Sequence, residues 1–430
     1  MKLEAIKALV VGMEKSGQAS AAFLRAHGAD VTTTDIKPLS MPGFRPQSDA
    51  LFAEHWDLIV LSPGVPADLD PLQKARARGV DVIGEIELAA PFLRGRTIGI
   101  TGSNGKTTTT SLVGHILHSA GVPAQVGGNI GTPVIAMTED SRDDQWNVLE
   151  LSSFQLETAR TFRAHIAVCL NVTQNHLDRH RTMENYIAAK ANLFRMQLPG
   201  SHAVLNEGDS VCRSFAEMTV AQTTWFSRTD IRKGQIWLGE DPLMPLADIP
   251  IPGPHNAENV LAAAHVARIA GVSPESIAAA VRTFKAVEHR LEFTATIGGV
   301  RFYNDSKATS VDAALKAIDS FDGNLWVILG GTDKGSDYTV MREKLRGKAH
   351  AVLLIGAASA KIATHLEGAV RLIHCGTIQC AVAEASASAS PGDIVLLAPA
   401  CSSFDQFQNY EQRGQVFKQL VKDLKHGAAA

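Results

Sequence analysis

The chain has 430 residues, 41 Lys and Arg against 44 Asp and Glu, and a formal net charge of −3. Such a balance gives no electrostatic case for nucleic acid, and no apolar run approaches the roughly 20 residues of a membrane span. The apolar fraction, 45%, is that of a globular protein, and five cysteines without a C-x-x-C pair point to reduced thiols rather than a disulfide framework or a zinc site.

At roughly 150 residues per domain the length suggests about three domains. The first begins with a buried-strand run, Lys7–Gly12, then a turn to Gly17, a helix over Ala19–His27 and a strand over Val31–Asp35. Gly12-Met13-Glu14-Lys15-Ser16-Gly17 has the spacing of a dinucleotide fingerprint, but Glu14 stands where the middle glycine belongs. A side chain there obstructs a pyrophosphate and its carboxylate repels one, which argues against NAD or FAD. A Rossmann-like domain for another ligand remains. Asp35 ends the second strand, where such domains present an acid to a ribose or base. Ser62 lies at the carboxyl end of a third strand, in Leu58–Gly64, either on the edge where open α/β sheets bind ligands or simply within a Ser-Pro-Gly turn. The pattern restarts at Thr97, so a boundary is expected between residues 92 and 93.

The stretch from Thr97 to Thr108 begins as a β-branched, apolar run and breaks at two glycines, and Thr109–Ala120 follows with Leu112, Val113, Ile116 and Leu117 at helical spacing, so it reads as strand, tight loop and helix. The loop is a shortened form of the G-x-x-x-x-G-K-T phosphate loop. It aims backbone N–H groups and a helix N-terminus at one point; Lys106 adds a full charge and Thr107 a hydroxyl able to ligate magnesium. The stretch is a seat for a nucleotide polyphosphate. Gly127–Gly131 reads as a turn carrying Asn129. Trp146–Phe154 reads as a strand bearing Glu150, and Ile166–Asn171 as another, followed by His176. If both run parallel to the phosphate-loop strand, Glu150 and His176 emerge at the edge that carries Lys106, a geometry suited to magnesium beside phosphates. Tyr186–Phe194 is helical and contains Lys190, which the sequence alone leaves as an exposed lysine or a buried, activated one. Strands are expected over Ala203–Asn206 and Thr223–Ser227. A helix over Asn256–Ala270 has Asn256 and Asn259 on its first turn, as cap residues or as contacts to a base or ribose.

Beyond a second expected boundary, between 286 and 287, strand and helix alternate again. Strands are expected at Leu325–Gly330, Ala351–Gly356, Arg371–Cys375 and Asp393–Ala398. Polar loops at Tyr303–Thr309 and Gly330–Gly335, with Lys334, suggest a site for an anionic substrate. The expected fold is α/β in three domains: a Rossmann-like domain over 1–92, a P-loop domain with a mostly parallel sheet over 93–286, and a Rossmann-like α/β domain over 287–430.

Thr101–Thr108, Gly127–Gly131, Leu149–Leu156, Asn171–Asp178, His289–Glu292, Asn304–Thr309 and Ala398–Gly414, taken together and in order, resemble the motif series of the Mur ligases. The Glu150-Leu-Ser-Ser-Phe-Gln-Leu stretch and the Ser403-Phe-Asp-Gln-Phe-Gln-Asn-Tyr-Glu-Gln-Arg-Gly ending are similar to the branch that adds D-glutamate to UDP-N-acetylmuramoyl-L-alanine. The Asp-Asn-Pro-Arg signature of the branch that adds a diamino acid is absent from the sequence. The resemblance implies an ATP-dependent ligase of peptidoglycan synthesis, working through an acyl phosphate on the alanyl carboxylate. It implies magnesium held by Thr107, Glu150 and His176, with a second magnesium on Lys190 once CO2 has carbamylated it. Lys106, Glu150, His176 and Lys190 are then catalytic. It assigns ATP to Gly102, Ser103, Asn104, Gly105, Lys106, Thr107, Thr108, Asn256, Asn259, Arg290 and Asp305. The uridine nucleotide falls to Ser16, Asp35, Ser62 and Asn129, and glutamate to Thr309, Lys334, Ser403 and Tyr410. A cytoplasmic monomer with small-molecule substrates is expected, with no nucleic-acid or membrane partner. Two features depart from the family pattern: the charges of Glu14 and Lys15 in the first loop, and Tyr410 where phenylalanine is common. The alternatives are a folylpolyglutamate synthase, against which the roughly 95 residues before the phosphate loop count, and a non-catalytic nucleotide-binding protein.

Overall fold

The computed structural model describes residues 2–285 and 287–427. Two compact units result: Met1–Leu246 with Glu258–Arg282, and Ala247–Ala257 with Thr283–Ala430. The boundary expected after 286 falls on Ala286, which lies outside the described residues.

The first unit holds two parallel sheets. Strands β1 (Lys7–Val11), β2 (Asp30–Thr34), β3 (Leu58–Leu61) and β4 (Asp81–Gly84) lie in the order β2-β1-β3-β4. Ala8 to Val11 and Leu58 to Leu61 are buried on both faces, as continuous apolar runs in parallel sheets must be. The strand order reverses between β1 and β3, so Gly12 and Ser62, just past their ends, flank the crevice that such a reversal opens. The first helix starts at Lys15, four residues earlier than the sequence suggests.

The second sheet contains β5 (Arg96–Thr101), β6 (Ala124–Gly128), β7 (Trp146–Glu150), β8 (Ile166–Cys169), β9 (His202–Asn206) and β10 (Gln222–Phe226), in the order β10-β9-β8-β5-β7-β6. All its pairings are parallel. β5 therefore lies between β7 and β8, and the loops leaving these three strands converge. β6 is a departure from expectation. Ala-Gln-Val-Gly-Gly has one β-branched residue and overlaps the turn expected from Gly127, yet it pairs along β7 as the edge strand. Glycine is required there: a Cβ on Gly128, at φ +103°, would collide with the Glu150 carbonyl oxygen.

A short helix, Glu85–Ala89, fastens the two sheets. Glu85 Oε1 accepts the Ile135 N–H at 2.7 Å. Glu87 accepts the N–H groups of Arg160 and Thr161, each at 2.8 Å, and of Phe162 at 3.2 Å. Between these carboxylates Ile86 and Leu88 join Val134, Ile135, Met137 and Leu156 in one apolar cluster. Burial pushes the Glu85 carboxyl up to about 7, against the pull of the Ile135 N–H and the Gln155 amide. A small antiparallel sheet, β11 (Ile231–Arg232), β12 (Gln235–Leu238) and β13 (Asp241–Pro245), follows β10 and was not anticipated; its strands are short and bulged.

The second unit is built on β14 (Glu292–Ile297), β15 (Val300–Asn304), β16 (Leu325–Gly330), β17 (Ala349–Ile355), β18 (Arg371–Gly376) and β19 (Ile394–Leu397), in the order β14-β15-β19-β16-β17-β18. Four parallel strands match the expected ones. The β14–β15 hairpin does not, and it makes Tyr303 and Asn304 the end of a strand instead of a loop. Gly298 and Gly299, at φ +54° and +82°, supply the two positive φ angles that its two-residue turn demands. The last helix of the described residues is Tyr410–Gly427, beginning where expected. Among the described residues no helix is long and apolar enough to cross a membrane.

Candidate active site

The phosphate loop leaves β5 at Thr101. Gly102 has φ +149° and Gly105, at the N-cap of Lys106–Ser119, has φ +84°, a left-handed conformation that bars most side chains. A Cβ on Gly105 would also collide with Asn259 Oδ1. The loop from β8 fixes the outer wall: Ser103 N–H donates to the Asn171 carbonyl at 2.8 Å, and Asn104 N–H to Asn171 Oδ1 at 2.9 Å. Lys106 Nζ lies across the loop, donating to the carbonyls of Gly102 and Ser103 at 2.9 and 3.0 Å.

Glu150, buried at the end of β7, is gripped on both oxygens. Thr107 Oγ1 donates to Oε2 at 2.7 Å, and Asn129 Nδ2 to Oε1 at 2.8 Å. Lys190 is 1% exposed, on the helix Met183–Arg195. Its Nζ donates to the Gly102 carbonyl at 2.9 Å and lies 4.6 Å from the centre of the Tyr186 ring. Burial, then the positive charge of Lys106, lower its pKa to about 7. His176 is exposed, several residues beyond β8, in a left-handed conformation of φ +54°. Its ring packs edge-on to Phe154 with centroids 4.9 Å apart. Asn259 Oδ1 accepts from Thr109 Oγ1 at 3.3 Å, so its side chain abuts the phosphate-loop helix. Thus Gly102 to Thr108, Glu150, Lys190, Asn129 and Asn259 converge at one sheet edge, and the exposed His176 packs beside them against Phe154 and Tyr186.

A cavity of about 860 Å³ opens at the β1–β3 crevice. Ser16, Asp35, Ser62 and Asn129 all line it. Ser62 Oγ donates to the Gly12 carbonyl at 2.6 Å, which fixes the turn. Asp35 accepts the N–H groups of Met13 and Lys37 at 2.7 and 2.9 Å. Burial acts to raise its pKa, but these N–H groups and the Lys37 charge hold it below the ordinary carboxylate value. Glu14 and Lys15, the two charges of the first loop, also line the cavity.

The remaining residues belong to the second unit. Asn256 Nδ2 donates to the Pro252 carbonyl at 2.6 Å. Asp305 is buried and accepts the Leu291 N–H at 3.2 Å; burial pushes its carboxyl up to about 7 despite the Arg290 charge. Thr332 and Ser402 exchange backbone hydrogen bonds of 2.8 and 3.1 Å, which draws the loops of Lys334 and Ser403 together. Ser306 Oγ donates to the Tyr410 carbonyl at 2.8 Å, tying the loop of Thr309 to the start of the last helix.

Two residues had no role in the sequence reading. Gln155 lines the cavity, its Oε1 accepting the Ser152 N–H at 3.0 Å in a capping box. The S-S-F-Q spacing was the available signal. Arg413 is 1% exposed, and its guanidinium binds the carbonyls of Ser306 at 2.8 Å and Cys401 at 3.2 Å. Its register with Phe417 and Val421 put a cation on the apolar face of a helix, which was legible but unread.

The Mur ligase middle domain matches residues 100–267, and the Mur ligase glutamate ligase domain matches residues 289–401. A UDP-N-acetylmuramoylalanine–D-glutamate ligase of Solibacter usitatus is 62% identical over 440 residues, covering 99% of each chain. One from Acidobacterium capsulatum is 54% identical over 456 residues, covering 100% of this chain and 98% of that one. Among solved structures, MurF ligase from Thermotoga maritima in complex with ADP gives a TM-score of 0.63 at 16% identity, covering 98% of this chain and 96% of that one. UDP-N-acetylmuramate–alanine ligase from the same organism gives 0.62 at 18%, covering 97% and 99%. At these identities the two structures establish likeness of fold.

Proposed function

We infer the chemistry of the site from the premise that the chain belongs to the Mur ligase family, among its UDP-N-acetylmuramoylalanine–D-glutamate ligases. The enzyme joins D-glutamate to UDP-N-acetylmuramoyl-L-alanine in an ATP-dependent ligation of peptidoglycan synthesis. The alanyl carboxylate becomes an acyl phosphate, the amino group of glutamate attacks it, and phosphate leaves as the amide forms.

The division of labour among residues is our reading. The observation that carries it is the Glu150 carboxylate, held between Thr107 and Asn129 at the mouth of the phosphate loop. The Glu150 carboxylate and the Thr107 hydroxyl are the oxygen donors a hard dication prefers, and they would hold magnesium, with the His176 imidazole as a further, weaker donor. Bound there, magnesium would neutralise charge on the phosphoryl group in transfer. The N–H groups of Gly102 to Thr108 orient the phosphates, and Lys106 swings from its own loop carbonyls to the transferring group. Lys190 reacts with CO2 only as the free amine. Its nitrogen attacks the carbon, a proton leaves, and a cation becomes a carboxylate able to hold a second magnesium. A pKa near 7 supplies that amine at neutral pH.

Ser16, Asp35 and Ser62 hold the uridine diphosphate end of the substrate, and Asn129 the muramoyl group. Asn256, Asn259, Arg290 and Asp305 border ATP; Thr309, Lys334, Ser403 and Tyr410 receive glutamate. The functional division is 1–92, 93–286 and 287–430, and the enzyme works as a cytoplasmic monomer. The test is phosphate release from ATP with UDP-N-acetylmuramoyl-L-alanine and each candidate amino acid. Release with D-glutamate, and not with L-glutamate or diamino acids, is expected; none with D-glutamate ends the reading.

A further inference from the structure

Behind the loops of Lys334 and Ser403 lies a chain of four hydrogen-bonded side chains for which the reaction scheme has no use. Tyr338 is fully buried, and its hydroxyl donates to Asp333 Oδ1 at 2.8 Å. With that proton committed, the Cys401 thiol, 3.0 Å away, must donate to the Tyr338 oxygen. Lys361 Nζ donates to the other carboxylate oxygen, Asp333 Oδ2, at 2.7 Å. Asp333 Oδ1 also accepts the Ser336 N–H at 3.1 Å, closing the turn that carries Lys334. Burial acts to raise the Asp333 carboxyl, but Lys361 and Tyr338 keep it ionised far below the ordinary range. The chain thus runs from Cys401, two residues before Ser403, to Asp333, the residue before Lys334. It spans the same two loops that Thr332 and Ser402 pair through their backbones. Lys334 itself is exposed and makes no ion pair among the described residues.

We propose that Tyr338 and Asp333 are positioning residues that set selectivity for the incoming amino acid, by fixing the spacing between the Lys334 ammonium and the Ser403 hydroxyl. This rests on the assignment of Lys334 and Ser403 to glutamate. A dicarboxylate needs two anchors at a set separation, and a buried tyrosine bridging both loops is a rigid spacer with a single proton to place. Tyr338→Phe keeps the ring and its packing but leaves the thiol without an acceptor and Asp333 one donor short.

Steady-state kinetics on the full-length protein test it, with each of the three substrates varied in turn. Tyr338→Phe should raise KM for D-glutamate about ten-fold, the effect of leaving buried polar groups unpaired. KM for ATP and for the sugar nucleotide, and kcat at saturating glutamate, should stay at the parent values. Lys361→Gln, at a half-exposed position, should shift the glutamate KM in the same direction by less. Lys334→Ala is the control. If it raises the glutamate KM while Tyr338→Phe and Lys361→Gln do not, the spacer role is wrong and the glutamate assignment stands. If Lys334→Ala leaves that KM unchanged, the assignment fails and the proposal with it. Equal loss toward all three substrates in Tyr338→Phe, together with a lowered melting temperature, makes the tyrosine a packing residue and overturns the proposal.

Discussion

Glu85→Gln should turn a pH-dependent protein into a less dependent one. Glu85 lies where the first sheet is fastened to the second, 2% exposed, with Oε1 accepting the Ile135 N–H at 2.7 Å. Its carboxyl is raised from 4.5 to about 7 by burial. Between those values the native state keeps a proton that the unfolded chain releases. The stability this proton supplies is complete below 4.5 and is lost as pH rises through about 7. Moving a carboxyl over that interval is worth about 3 kcal/mol. A glutamine has the same shape, still accepts from Ile135 through its oxygen, and does not titrate. The stability of the variant relative to the parent should therefore rise by up to about 3 kcal/mol between about pH 5 and about pH 8. Urea unfolding followed by tryptophan fluorescence at the two pH values measures this, since Trp56 and Trp146 lie in the same unit. If the gap between the two proteins is equal at both pH values, Glu85 is ionised in the native state, and the reasoning from burial is wrong.

Gly105→Ala should weaken ATP binding, read by calorimetry. A residue held at φ +84° pays about 1–2 kcal/mol, and its Cβ meets Asn259. Unchanged affinity would show that the loop relaxes freely. Lys190→Ala should lose turnover and regain part of it when short carboxylic acids are added; full activity without them would remove the lysine from the mechanism. Asn129→Ala frees one oxygen of Glu150, so half-maximal activity should require about 10- to 100-fold more magnesium. An unaltered magnesium titration would leave Asn129 a substrate contact alone.

The parallel strands and the phosphate loop were legible because both are written locally. Runs such as Leu58-Ile59-Val60-Leu61 and Leu325 to Leu329 are apolar throughout, since helices cover both faces of their sheets. β6 was not legible: its pairing comes from β7, and its Gly128 answers to the backbone of Glu150, 22 residues away in sequence. The β14–β15 hairpin was legible in principle through Gly298-Gly299 between alternating runs. At the site, the convergence of Lys106, Thr107 and Glu150 followed from strand ends sharing an edge. The burial of Lys190 did not follow, because a lysine in an alanine-rich helix looks the same whether its face meets solvent or β5. Nor did the chain through Tyr338, whose members are scattered over Asp333 to Cys401 and meet only in three dimensions.

Three of the turns that frame the cavity at the β1–β3 crevice hold glycines at positive φ, Gly12 at +85°, Gly128 at +103° and Gly131 at +61°. A Cβ on Gly12 would collide with Val65, and one on Gly128 with the Glu150 carbonyl. Substitution at these turns costs the fold itself, whereas Glu14, Lys15 or Gln47 can change without bending the chain. An inhibitor that rests on the turns should therefore meet resistance more slowly than one that relies on the side chains at the rim.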